Sequence, residues 1–111
     1  MADAIYLKNM QADTRQQVLA ILACIPTGRV VSYGQVADLA AMGKGARQIG
    51  RILRTLPDDT QIPWHRVVSA SGFISLTEPD RSRQIRRLGS EGVAVRSGRV
   101  DINQYRWNPP A

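Results

Sequence analysis

The 111 residues hold one cysteine, one histidine, two lysines and one phenylalanine, and these shortages remove whole classes of function. With Cys24 alone no internal disulfide can form, and with His65 as the single histidine no zinc site of Cys and His alone can be assembled. A reducing, cytoplasmic setting is the expectation. No stretch nears the roughly 18 consecutive apolar residues of a membrane span. Met1-Ala2-Asp3-Ala4-Ile5-Tyr6 also lacks the basic-then-apolar order of a secretory signal, so a soluble, unexported chain with no metal, no cofactor and no membrane partner is expected. Acidic residues are few as well, nine against fifteen basic ones, for a net charge of +6. Thirteen of the basic residues are arginine, whose planar fork suits phosphates and base edges better than an ammonium does. A polyanion, nucleic acid foremost, is the expected partner. A 43% hydrophobic content excludes a disordered basic tail, and the length suffices for one core.

Residues 1–12 carry no clear period and read as a loosely held lead-in. Thr14 and Gln17 form a capping box, and Val18, Ile21, Leu22 and Ile25 follow as one helical stripe that Pro26-Thr27-Gly28 ends. Cys24, on this helix, reads as a small buried hydrophobe. Arg29-Val30-Val31 suits a short strand, and Ser32 with Gln35 opens a helix over about 33–41 that buries Val36, Leu39 and Ala40. Gly43-Lys44-Gly45 turns the chain into a third helix, with Ile49, Ile52, Leu53 and Leu56 facing in and Arg47, Arg51 and Arg54 facing out. Two short helices joined by a glycine turn, the second with a basic outer face, predict a helix-turn-helix.

Val67-Val68 and Phe73-Ile74 flank Ser-Ala-Ser-Gly as the hairpin of a wing. Thr77 with Asp80 is expected to cap a last long helix, with Ile85 and Leu88 inward and Arg83 and Arg87 outward, ending near residues 89–92. Val93-Ala94-Val95 and the segment after Gly98 predict a terminal hairpin, with Trp107 packing back. With no repeat and no linker, the expectation is a single domain over 1–111, mainly α with small β, a winged helix-turn-helix DNA-binding domain.

The most specific string is Ile62-Pro63-Trp64-His65-Arg66-Val67-Val68. It resembles the Pro-Cys-His-Arg-Val active-site motif of the O6-alkylguanine-DNA alkyltransferases, with Trp64 in the place of the acceptor cysteine. Residues 28–37 and 46–54 look like the helix-turn-helix of that family, and Glu91-Gly92-Val93 looks like the segment that closes its active site. The likeness covers about residues 13–95, and the cysteine-to-tryptophan change matches the alkyltransferase-like proteins.

That resemblance implies a site. Trp64 would floor a lesion pocket with Tyr33, Val67, Ser69, Ser75 and Thr77, the loop 71–77 covering the lesion. The plainer reading of Trp64 is a core aromatic, and of Tyr33 an aromatic at a helix start. Arg47 would enter the duplex from the minor groove and replace the extruded nucleotide; on pattern alone it is one of three arginines on a solvated face. Ser32, Gln35, Lys44, Gly45, Ala46, Arg51 and Arg54 would meet DNA, the arginines and Lys44 holding phosphates. His65, Arg66 and Glu91 would support the pocket structurally. Thr77, where several relatives carry a basic residue, and Leu56, where transferases carry an asparagine, depart from the family.

Dealkylation by this route needs an activated thiolate, and tryptophan offers only an indole N–H. No catalytic residue is therefore expected, although removal of the alkyl group through water ordered by His65 is a second reading and a winged-helix transcription factor a third. The resemblance implies a monomeric, bacterial-type, cytoplasmic protein, nucleoid-associated on DNA, that binds O6-alkylguanine in duplex DNA, flips it without transfer and flags it for nucleotide excision repair proteins.

Overall fold

Between the start of the chain and Pro26 there is neither glycine nor proline, and one helix, α1 (Asp3–Cys24), occupies nearly all of that stretch. The computed structural model describes residues 3–110, with side chains from residue 14 onward. The helix thus starts eleven residues before the capping box at Thr14, because Ala, Leu, Lys, Met and Gln in residues 4–12 favour helix without any apolar stripe to announce it. Residues 1 and 2 of the expected lead-in lie outside the described residues. Val18, Leu22 and Ile25 are buried as the stripe requires. Cys24 is exposed, contrary to the burial expected of it. At about 100° per residue it lies about 200° round the helix from Leu22, on the opposite face.

β1 (Val31–Ser32) leads directly into α2 (Tyr33–Leu39). Ser32 caps α2 by accepting the Gln35 backbone N–H at 3.0 Å. The reciprocal half of the expected box is replaced: Gln35 Nε2 donates to the Trp107 carbonyl at 2.7 Å, tying the C-terminal segment to this helix. Val36, Ala37 and Ala40 are buried, whereas Leu39, expected inside, is 43% exposed, being off the face that meets α1 and α3. Gly45 precedes α3 (Ala46–Arg54), and a Cβ there would come within 2.8 Å of Met42 Cβ, so its lack of a side chain serves turn packing. On α3, Ile49 and Ile52 are buried while Arg47, Arg51 and Arg54 are exposed, the last two suiting the negative end of the helix.

A 3₁₀ turn (Trp64–Arg66) then delivers the chain into β2 (Val67–Val68), which pairs in parallel with β1, Val31 opposite Val67 and Ser32 opposite Val68. The expected wing hairpin of residues 67–68 with 73–74 is not formed. Val67 and Val68 are buried and spent on β1, and the loop closes as a turn with Ser69 N–H donating to the Phe73 carbonyl. Phe73 and Ile74 run instead beside the terminal hairpin of β3 (Val95–Arg96) and β4 (Arg99–Val100), Phe73 bridging Arg99 and Ile74 N–H meeting the Gly98 carbonyl. Gly72, at φ +85°, lies against the Val100 carbonyl where a Cβ would collide.

α4 (Asp80–Ser90) is capped by Glu78 and not by Thr77 with Asp80: the Glu78 carboxylate accepts the Ser82 backbone N–H at 2.9 Å and its hydroxyl at 2.7 Å. Leu88 is buried and Ile85 half-buried, with Gln84 as an unforeseen buried polar neighbour. A short α5 (Ile102–Tyr105) follows the hairpin, and Val30 is bonded on both sides by this segment, its N–H to the Tyr105 carbonyl and its carbonyl to Trp107 N–H, each at 2.9 Å.

The interior is two clusters. α1, α2 and α3 enclose the first with Val31 and Val67, and α4, the hairpin and α5 enclose the second with Val30 and Val68. Successive strand residues point to opposite sides, so the β1–β2 pair divides the clusters.

Candidate nucleic-acid interface

Tyr33 opens α2 because Ser32 caps it, and its ring, half-buried, packs on the first cluster. Beside it α3 is amphipathic, so burying Ile49 and Ile52 turns Arg47, Arg51 and Arg54 to solvent. Facing α3 across a cavity of about 560 Å3 stand Trp64, Ser75, Leu76 and, from α4, Asp80 and Arg83. Tyr33, Ala46, Arg47, Gly50, Arg51, Arg54 and Leu56 form the near wall.

Trp64 is half-buried, packed edge to face on the His65 ring with centroids 6.1 Å apart. Its own ring carries the guanidinium groups of Arg83 at 5.7 Å and Arg87 at 5.1 Å. These arginines, expected to point outward, lie half-buried on the indole because the 3₁₀ turn packs against α4.

Below Trp64 a polar cluster fixes the turn. Glu91 accepts from His65 Nε2 at 2.6 Å, from Arg66 Nη2 at 2.8 Å and Nε at 3.0 Å, and from the Gly28 backbone N–H at 3.0 Å. Arg66 also donates to the Ile25 carbonyl at 2.7 Å and to Thr27, so one guanidinium joins the end of α1, the 3₁₀ turn and the end of α4. Burial alone would raise the Glu91 carboxyl, but Arg66, Gly28 N–H and His65 outweigh it and hold its pKa at about 2. Burial lowers the His65 pKa below 6.5 despite the hydrogen bond to Glu91 that raises it. The ring is therefore neutral at pH 7, with Nε2–H given to Glu91 and Nδ1 left buried with no partner. Gln84, 1% exposed, donates to the carbonyls of His65 at 3.0 Å and Val67 at 2.8 Å.

The structure thus brings Tyr33, Ala46, Arg47, Arg51, Arg54, Trp64 and Ser75 to one cavity. It leaves Val67, Ser69 and Thr77 off the lining. Val67 is 1% exposed with its carbonyl engaged by Gln84. The Ser69 hydroxyl accepts the Phe73 N–H at 2.9 Å within its own loop. Thr77 is exposed before α4, where its carbonyl accepts the Arg81 N–H. Of the expected DNA contacts, Ser32 and Gln35 are occupied as helix cap and tail anchor, Gly45 is buried, and Lys44 is exposed. Sequence reasoning missed Gln84 and the inward use of Arg83 and Arg87, whose i, i+4 spacing was the available signal. Chemically, the cavity offers an aromatic floor, hydroxyls and guanidinium groups; Cys24, exposed at the end of α1, is not among its lining residues.

Comparison with known proteins agrees with this geometry. Residues 13–93 match the model of the 6-O-methylguanine DNA methyltransferase, DNA binding domain. A "DNA base-flipping protein" of Escherichia coli K12 is 51% identical over 94 residues, spanning 84% of this chain and 73% of that protein. "Alkyltransferase-like protein 1" of Schizosaccharomyces pombe is 35% identical over 92 residues, 77% of this chain and 85% of the relative. The crystal structure of S. pombe Atl1 in complex with damaged DNA containing O6-carboxymethylguanine superposes with a TM-score of 0.83 at 31% identity, covering 88% of this chain and 97% of that one. The helix-turn-helix, the Trp64 turn and the Glu91 cluster all fall inside the matched residues, and the chain belongs to the 6-O-methylguanine DNA methyltransferase DNA-binding-domain family.

Proposed function

We propose that this chain binds O6-alkylguanine in duplex DNA, rotates the damaged nucleotide into the cavity between α3 and Trp64, and leaves the alkyl group where it is. The observation that carries this reading is the cavity itself: α3 lines it with exposed arginines and Trp64 lines it with an indole, at the motif position that the resemblance gives to the acceptor cysteine. Arg47, exposed in the first turn of α3 and on the cavity wall, fills the vacated position in the stack. Lys44, Arg51 and Arg54 hold phosphates, giving affinity without sequence information. Trp64 floors the pocket and Tyr33 and Ser75 flank it. His65, Arg66 and Glu91 fix the floor. The names of the E. coli and S. pombe relatives and the damaged-DNA complex of the latter support this reading. The protein acts as a monomer in the cytoplasm and passes the marked lesion to excision repair.

The test is anisotropy titration at fixed salt of an O6-methylguanine duplex against its undamaged twin, with the methyl group radiolabelled. Tighter binding of the lesion, about tenfold or more, with all label retained on DNA is expected. Equal affinities would sink the reading, and so would label recovered from the DNA or preference for one undamaged sequence.

A further inference from the structure

Arg83 and Arg87 stand one turn apart on α4, where like charges repel, yet both guanidinium groups lie over the same indole. A guanidinium attracted to a π face spends no hydrogen bond on the ring, so its N–H donors stay available to other partners. Arg66 is the contrast: its N–H groups go to Glu91, the Ile25 carbonyl and Thr27. Arg83 meets Asp80 at 3.3 Å, on a carboxylate that is 55% exposed. Its guanidinium is thus held against the indole while its donors are weakly spent. That contact also lowers the rotamer cost of binding, since the side chain is placed in advance. Arg83 lines the cavity together with Arg47, Arg51 and Arg54, and these four cations share its lining with two carboxylates, Asp58 and Asp80.

Resting on the reading above, we propose that Arg83, held on Trp64 with Arg87 beside it, is a specificity-determining residue that makes the cavity favour O6 substituents ending in a carboxylate over neutral substituents of the same size. The apolar part of such a substituent lies against the indole face. Its terminal carboxylate meets the planar edge of Arg83 at the rim, a geometry the guanidinium fork matches in pairs of hydrogen bonds.

The experiment compares duplexes carrying O6-carboxymethylguanine, its neutral carbamoylmethyl isostere, O6-methylguanine and guanine. Wild type should bind the carboxymethyl duplex about five- to tenfold more tightly than the carbamoylmethyl one, the difference between a charge-assisted and a neutral hydrogen-bond pair. Arg83→Gln should bring that ratio to about one, and Arg83→Lys, which keeps the charge without the fork, should restore part of it. Arg86→Gln, exposed on α4 and off the cavity, should leave the ratio as in wild type. Thermal melting monitored by circular dichroism confirms that each variant is folded. A wild-type ratio of one, or a ratio that survives Arg83→Gln, overturns the proposal while leaving lesion binding intact. Failure of every adduct to outbind guanine overturns the reading beneath it too.

Discussion

Replacing Glu91 by glutamine keeps the shape of the side chain and removes one negative charge from the junction of α1, the 3₁₀ turn and α4. The carboxylate accepts from His65, Arg66 and Gly28 at 2.6–3.0 Å, and the Arg66 and Glu91 side chains are only 14% and 11% exposed. Breaking one side of a buried pair costs about 3–5 kcal/mol. Arg66 keeps the Ile25 carbonyl and Thr27, which places Glu91→Gln at the lower end, about 3 kcal/mol at pH 7. The depression of the carboxyl from 4.5 to about 2 gives the same size, about 3 kcal/mol at ~1.4 kcal/mol per unit. Because the folded state depresses the pKa, this stability is present in full above pH 4.5 and drains away as pH falls toward 2. Urea unfolding of both proteins at pH 7 and pH 3 should therefore show a gap of about 3 kcal/mol narrowing to about 1 kcal/mol. A gap that does not change with pH, or is under about 1 kcal/mol at pH 7, would refute the assignment of Glu91 as the ionised centre of the junction.

Gln84→Leu strips the His65 and Val67 carbonyls of their donor but also removes Gln84 Oε1, which has no partner, so a net loss of about 1–2 kcal/mol is expected in urea unfolding. Unchanged stability would show that the clamp contributes nothing. Arg54→Ala should lower the slope of log K against log salt by about one while leaving the ratio of lesion to undamaged affinity as it was. An unaltered slope would remove Arg54 from the phosphate contacts.

What could be read from the residues was what neighbours along the chain decide. The apolar stripe at Val18, Leu22 and Ile25, the cap at Ser32, the two faces of α3 and the terminal hairpin all depend on spacing of a few residues, and all appear in the fold. What could not be read depends on partners far away. Val67 and Val68 look like half of a local hairpin until β1, thirty-six residues earlier, takes their pairing. Gln35 looks like the return half of a capping box until Trp107 offers its carbonyl. Arg83 and Arg87 look solvated until the 3₁₀ turn sets an indole beneath them. The site shows the same division. Six of its residues are assigned by the resemblance: Tyr33, Arg47 and Trp64 line the cavity, whereas Val67, Ser69 and Thr77 do not, the Val67 carbonyl being engaged by Gln84 and the Ser69 hydroxyl by the Phe73 N–H.

The β1–β2 pair divides the interior into two clusters with only two residue pairs in its ladder. The cavity straddles that boundary, since α3 belongs to one cluster while Asp80 and Arg83 belong to a helix of the other. Its width is consequently a property of the seam between two well-packed halves. Arg66 spans the same seam, bonded to the Ile25 carbonyl at the end of α1 and to Glu91 at the end of α4, so a change in cavity width is a shear between the halves that this junction resists.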